Sequence, residues 1–149
     1  MTDPPASAAD AIQRLLAAVP ELRGRQLSDC DWLMVLPGRV RRDISVHVHL
    51  GRDGAWLNSF LLRGPRRAED AAALHRLLLR RNAAMRRVRM ALDADDDVVV
   101  VGLVPAPVRA EELDAVLAEI LTVTESAFEA FVHLGYPGVF SPLEPPPDG

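Results

Sequence analysis

The spacing of apolar and polar residues changes period several times along this chain, and each change marks an element. Ile12, Leu15, Leu16 and Val19 recur at helical spacing after Ser7, a good N-cap, and Pro20 ends the run. This predicts a helix over about Ala8–Val19. Glu21–Asp31 has little apolar content and reads as a surface loop. Trp32–Leu36 is a short apolar run closed by Pro37-Gly38, and reads as the first strand. From Asp43 to Leu50 the alternation is clean. Ile44, Val46, Val48 and Leu50 face one way, while Ser45, His47 and His49 face the other. That is the pattern of a half-buried antiparallel strand. Gly51-Arg52-Asp53-Gly54 is a tight hairpin loop leading into a return strand, Ala55–Arg63. In that strand Trp56, Asn58, Phe60 and Leu62 share one face, and Leu57, Ser59 and Leu61 share the other. Apolar residues on both faces predict a strand that is central or covered on both sides.

A second helix is predicted over Ala68–Arg81, with Ala71, Leu74, Leu77 and Leu78 as its inner stripe. Glu69 and Asp70 suit its positive end and Arg80 and Arg81 its negative end; Asn82 is a natural stop. Arg87–Leu92 alternates again, Asp93–Asp97 makes a turn, and Val98–Val104 should be the most buried strand. After Pro105-Ala106-Pro107 a long helix runs from Arg109 to Leu134, with a wide apolar stripe that includes Phe128 and Phe131. The order α-β-β-β-α-β-β-α predicts an α+β fold, a twisted, mainly antiparallel five-stranded sheet packed with helices. The organisation expected is a flexible tail over 1–6, a single domain over 7–138, and a Pro-rich extended tail over 139–149.

Composition adds limits. A chain of 149 residues buries roughly two-thirds of the surface that its unfolded form exposes, so it folds without a disulfide or metal. Its single cysteine, Cys30, excludes an intrachain disulfide framework. The start, MTDPPASAAD, has neither the basic residues nor the apolar run of a signal peptide. No apolar run approaches the roughly 18 residues of a membrane span, and cytoplasm is expected. The net charge of −4 offers nucleic acid no overall attraction. The distribution is uneven, however. Residues 39–89 hold thirteen arginines and four acids, and from Asp93 onward twelve acids face Arg109 alone. All seventeen basic residues are arginine, a bias that a GC-rich genome produces. Arginine is also the fork that grips carboxylates and phosphates.

No residue set spells out a reaction. Asp93, Asp95 and Asp97 look like the start of a calcium loop, but Val98 and Val104 stand where that loop needs Gly and Glu. A solvated hairpin turn is the better reading. His47 and His49, two apart on one strand face, have metal-ligand spacing. His75 and His133 sit on separate helices and no nearby cysteine or third histidine completes the set, so no metal or other cofactor is expected. Ser59 and Ser126 lack a Gly-X-Ser-X-Gly elbow, and Cys30 between Asp29 and Asp31 is poorly placed for a nucleophile.

The run LLLRRNAAMRRVRMALDADDDVVVVGLVP, followed by EELDAVLAEILTVTESAFEAFVHLGYPG, resembles the actinobacterial branch of the YbjN-domain proteins, also labelled sensory transduction regulators. The upstream WLNSFLLRGP fits the same pattern, and the likeness covers about Trp56–Gly138. It implies a fold like the class I type III secretion chaperones and a role in regulation or protein binding without enzymatic activity. The chain is accordingly expected to be a cytosolic adaptor and a homodimer, holding a protein or peptide client. The alternative is a regulator that binds a small phosphate- or carboxylate-bearing metabolite through its arginines. Candidate contact residues are Trp56, Asn58 and Phe60, the arginines Arg63, Arg66, Arg67, Arg80 and Arg81 with Asn82, and the aromatics Phe128 and Phe131 of the long helix. Tyr136 and Phe140 beyond that helix would be further anchors.

Overall fold

Three helices cover one face of a six-stranded antiparallel sheet in a computed structural model of the chain, which describes residues 6–135. The elements are α1 (Ala6–Ala18), β1 (Arg23–Gln26), β2 (Asp31–Pro37), β3 (Asp43–Gly51), β4 (Gly54–Leu62), α2 (Ala68–Asn82), β5 (Val88–Leu92), β6 (Val98–Pro105) and α3 (Ala110–Gly135). The strands lie in the order β1-β2-β3-β4-β6-β5. The expected α+β architecture is present with one more strand. Arg23–Gln26, read as loop from its sequence, pairs with β2 from Arg23 opposite Val35 to Gln26 opposite Trp32. All four of its residues are exposed, so no hydrophobic alternation announces it. Only the ladder to β2 makes it a strand. The expected tails at 1–6 and 139–149, together with Tyr136 and Phe140, lie outside the described residues except for Ala6, which opens α1.

The core lies between sheet and helices. From the sheet come Trp32, Met34 and Leu36, then Ile44, Val46, Val48 and Leu50, then Leu57 and Leu61, with Val88, Met90, Val98, Val100 and Val104. The helices contribute Ile12 and Leu15, Leu74 and Leu78, and Leu113, Leu117, Ile120 and Phe131. Helix α3 packs tightly on the sheet at Gly102. A Cβ there would stand 2.9 Å from Val116 Cγ1 and 3.3 Å from Val88 Cγ1, so the helix approaches because the strand has no side chain at that point.

A β-bulge changes the phase of β4. Phe60 pairs with Val99 but Leu62 pairs with Val98, leaving Leu61 as the extra residue. The two-residue side-chain period is therefore broken, and Leu61 and Leu62 are both buried. Leu62 does not share a face with Trp56, Asn58 and Phe60 as strict alternation predicts. The strand is central, as expected, but helices cover only one of its faces.

Polar contacts close the ends of this arrangement. Asn82 does more than end α2. Its Nδ2 donates to the Met90 carbonyl at 2.9 Å and its Oδ1 accepts from the Met90 N–H at 2.8 Å. The amide thus supplies to edge strand β5 the pair of hydrogen bonds that another strand would offer. Asp93 Oδ1 accepts from the N–H groups of Asp95 and Asp97, and Asp97 Oδ1 accepts from the Gly64 N–H at 2.8 Å. These carboxylates shape the β5–β6 turn and tie it to the segment before α2.

Candidate functional site

The sheet face opposite the helices is bare among the described residues, and the register states what stands on it. Residues paired across antiparallel strands share a face. One row crosses all six strands as Arg25, Leu33, His47, Asn58, Val101 and Arg89. The next row runs Asp31, His49, Trp56, Leu103. On the far side of the first row, Val35 pairs with Ser45, and Phe60 pairs with Val99, which pairs with Ala91. Trp56 is 50% exposed and Phe60 44% exposed. Two aromatic side chains on the central strand are thus half in water, with half-buried Leu33, Val35, Val101 and Leu103 around them. Such a patch is a candidate contact surface.

The charge of this face is mostly positive. Arg23, Arg25 and Arg89 stand on its two flanks, and Asp31 is an acid set among them. Arg23 is paired with Asp43 at 2.8 Å, and Arg89 Nη1 donates to the Met85 and Val88 carbonyls at 2.8 and 2.7 Å. Asp31 is held by three neighbours. The Ser28 hydroxyl donates to its Oδ2 at 2.7 Å, while its Oδ1 lies 2.9 Å from His49 Nδ1 and 3.0 Å from His47 Nε2. The Ser28 hydrogen bond first, then that from His49, keep the Asp31 carboxyl below its ordinary range, with the charges of both histidines adding and partial desolvation opposing. Sequence reading left out Asp31 because the strand ladder, not chain proximity, places it beside His49.

The arginines do not form one cluster. Arg63, Arg66 and Arg67 stand at one end of α2 and Arg80 and Arg81 at the other, about 22 Å apart for a helix of 15 residues. Arg67 pairs with Glu69 at 3.3 Å and reaches Asp70 at 4.0 Å. The Arg81 guanidinium lies 5.9 Å from the centre of the Phe131 ring. Phe131 itself is fully buried. It belongs to the core of this chain rather than to a contact surface, because α3 turns it inward toward sheet and α2. Phe128 is half-buried, with the Arg41 guanidinium 5.1 Å from its ring centre. Arg41 also donates to the Phe60 and Leu61 carbonyls at 3.2 and 2.9 Å, joining the end of α3 to the bulge of β4. The Asn82 amide is committed to Met90. Trp56, Asn58 and Phe60 are therefore the expected contact residues that one surface brings together.

Across the helix layer, Glu119 of α3 accepts from the N–H groups of Arg86 at 2.9 Å and Arg87 at 3.1 Å. Burial is the largest single influence and raises its carboxyl, but the backbone N–H groups of Arg86, Arg87 and Val88 and the Arg87 guanidinium together bring it below the ordinary value. Asp93, Asp95 and Asp97 hold ligand atoms within 4.8 Å of one another, yet Asp93 and Asp97 are spent on the turn described above. No described helix is long and apolar enough to cross a membrane.

Uncharacterised proteins of Mycobacterium tuberculosis and Mycobacterium bovis are each 32% identical over 105 residues, 70% of this chain and 56% of theirs. One from Mycobacterium leprae is 31% identical over 102 residues, 68% of this chain and 54% of its own. The chain therefore spans little more than half the length of these relatives. Among solved structures it is similar to one chain of the heterodimeric complex ExoU–SpcU from the type III secretion system of Pseudomonas aeruginosa. That likeness has a TM-score of 0.48 at 16% identity, covering 92% of this chain and 99% of that one. The family model YbjN, described as "Putative bacterial sensory transduction regulator", matches residues 11–133. With nearly the whole described fold inside that match, this chain belongs to the YbjN family.

Proposed function

We propose that this protein is a cytosolic, non-enzymatic adaptor that holds an extended segment of a protein client against the open face of its sheet. The observation that supports this reading is the pair Trp56 and Phe60, half exposed on a central strand with no covering element among the described residues. Aromatic side chains bury much area for little lost conformational entropy, and for that reason dominate contact energetics. The flanking Arg23, Arg25 and Arg89 suit a client whose apolar side chains are bordered by acids. The family description, a regulator, fits a binding role. The metabolite reading asks the arginines to converge, and α2 holds its two groups apart. The oligomeric state, expected to be a homodimer, is measured by light scattering.

The test is capture from the native host with wild type and with a Trp56→Ser/Phe60→Ser variant. The captured protein is then purified and titrated while Trp56 emission is followed. The expected result is a client that shifts that emission and is lost from the variant at unchanged melting temperature. A client that binds both proteins equally removes the open face from the function. Charge reversal at Arg80 and Arg81 is the matching test of the α2 arginines, and unchanged capture excludes them.

A further inference from the structure

We propose that His47, His49 and Asp31 form a binding site for one divalent transition-metal ion, zinc being the natural candidate, on the open face of the sheet. The two histidines alternate onto this face two residues apart, and the β2–β3 ladder sets Asp31 directly opposite His49. Two imidazoles and a carboxylate are the donor set of many zinc sites with an open position. The spacing agrees. Asp31 Oδ1 stands 3.0 Å from His47 Nε2 and 2.9 Å from His49 Nδ1. Two neighbouring ligands around an ion held at ~2.1 Å lie ~3.0–3.4 Å apart.

The carboxylate is also oriented from behind. Ser28 donates to its other oxygen at 2.7 Å, and the Ser28 hydroxyl in turn accepts from the Cys30 N–H at 3.2 Å. Outer hydrogen bonds of this kind direct a ligand atom toward its ion. The two rings flank the carboxylate rather than converge on a point, so binding swings one of them inward. Both are about half exposed, at 46% and 50%, and such a swing displaces mainly water. The remaining coordination positions would face outward, toward whatever approaches the sheet.

The inference does not rest on the client reading, and its test needs no client. Trp56 is the cross-strand partner of His49, and the other tryptophan, Trp32, is buried on the helix side. Copper(II) at the site should therefore quench Trp56 emission, and a Trp56→Phe variant should lose that response. Zinc titrated calorimetrically into the full chain should bind one to one and be displaced by copper(II), which the same nitrogen and oxygen donors hold more tightly. His47→Ala, His49→Ala and Asp31→Asn should each weaken zinc at least about tenfold, while His75→Ala leaves it unchanged. Ser28→Ala should weaken it less than the ligand variants, through loss of orientation alone. Circular dichroism checks that each variant is folded, which their exposed positions favour. Absence of one-to-one zinc binding in the micromolar range overturns the proposal, and so does binding that survives the His47→Ala/His49→Ala double variant.

Discussion

The two faces of one sheet differ more from each other than do any two strands within it. Leu57 and Trp56 are neighbours in sequence, on the same strand, in the same ladder. Leu57 is 1% exposed beneath the helices and Trp56 is 50% exposed on the bare side. The helix side is mostly apolar, with the Ser59 hydroxyl buried in it, and is closed by α1, α2 and α3. The bare side mixes aromatic, aliphatic, histidine and arginine side chains, with the hydrogen-bonded carboxylates of Asp31 and Asp43 among them. Burial on the first side stabilises the fold, and exposure on the second leaves binding energy unspent. Aromatic side chains left about half exposed without a cover make the bare side a candidate contact surface.

That contrast can be broken experimentally, starting with the largest effect. Leu57→Ala removes packed methyl groups from the helix side and should destabilise the protein by about 2–5 kcal/mol in urea unfolding. Trp56→Ala, one residue away, should change stability by less than about 1 kcal/mol while altering contact with a client. Similar losses from both variants would show that the bare face is covered in the working protein.

The next comparison is between the two edges of the sheet. Strand β5 is closed by the Asn82 amide. Strand β1 is short and carries Arg23 and Arg25, which deter pairing with a second copy because like charges would meet. Asn82→Ala leaves the Met90 backbone groups without their partner and should cost about 1–3 kcal/mol, read from the shift in urea midpoint. Asn82→Asp should recover part of that loss, since one oxygen still accepts from the Met90 N–H.

The smallest effect expected is a pH dependence in the helix layer. Glu119 has its carboxyl held below the ordinary value in the folded state. The unfolded chain therefore binds the proton more readily, so the stabilisation is present above the ordinary glutamate value near ~4.3. It is lost as pH falls through the lower folded value. Unfolding followed between pH 6 and 3 should show a decline in wild type that Glu119→Gln makes shallower. An identical slope in both proteins would mean that the Arg86 and Arg87 N–H groups do not depend on that charge.

Much of the fold was legible because period carries it. The strict alternation of β3, the stripe of α3 and the turn residues at Pro37-Gly38 and Asp93–Asp97 each have a local cause, and each element formed where its pattern lay. What failed had no local cause. Strand β1, with four exposed residues, exists through its ladder to β2. Leu62 turned inward because a bulge displaced the phase by one. Phe131 read equally as core or contact until α2 and the sheet closed over it. At the candidate site, Trp56, Asn58 and Phe60 could be grouped by counting along one strand. Asp31 could not, since eighteen residues separate it from His49 and only strand register joins them.

By itself, then, the amino-acid order determined which residues alternate, which recur at helical spacing and where the chain must turn, because those preferences act over a few neighbouring bonds. The tertiary structure alone decided that all three helices lie on one side, that both sheet edges are guarded, and that an acid meets two histidines beside an exposed tryptophan. Those outcomes depend on pairing and packing between distant segments, where the geometry of the partner, and not the local pattern, selects the contact.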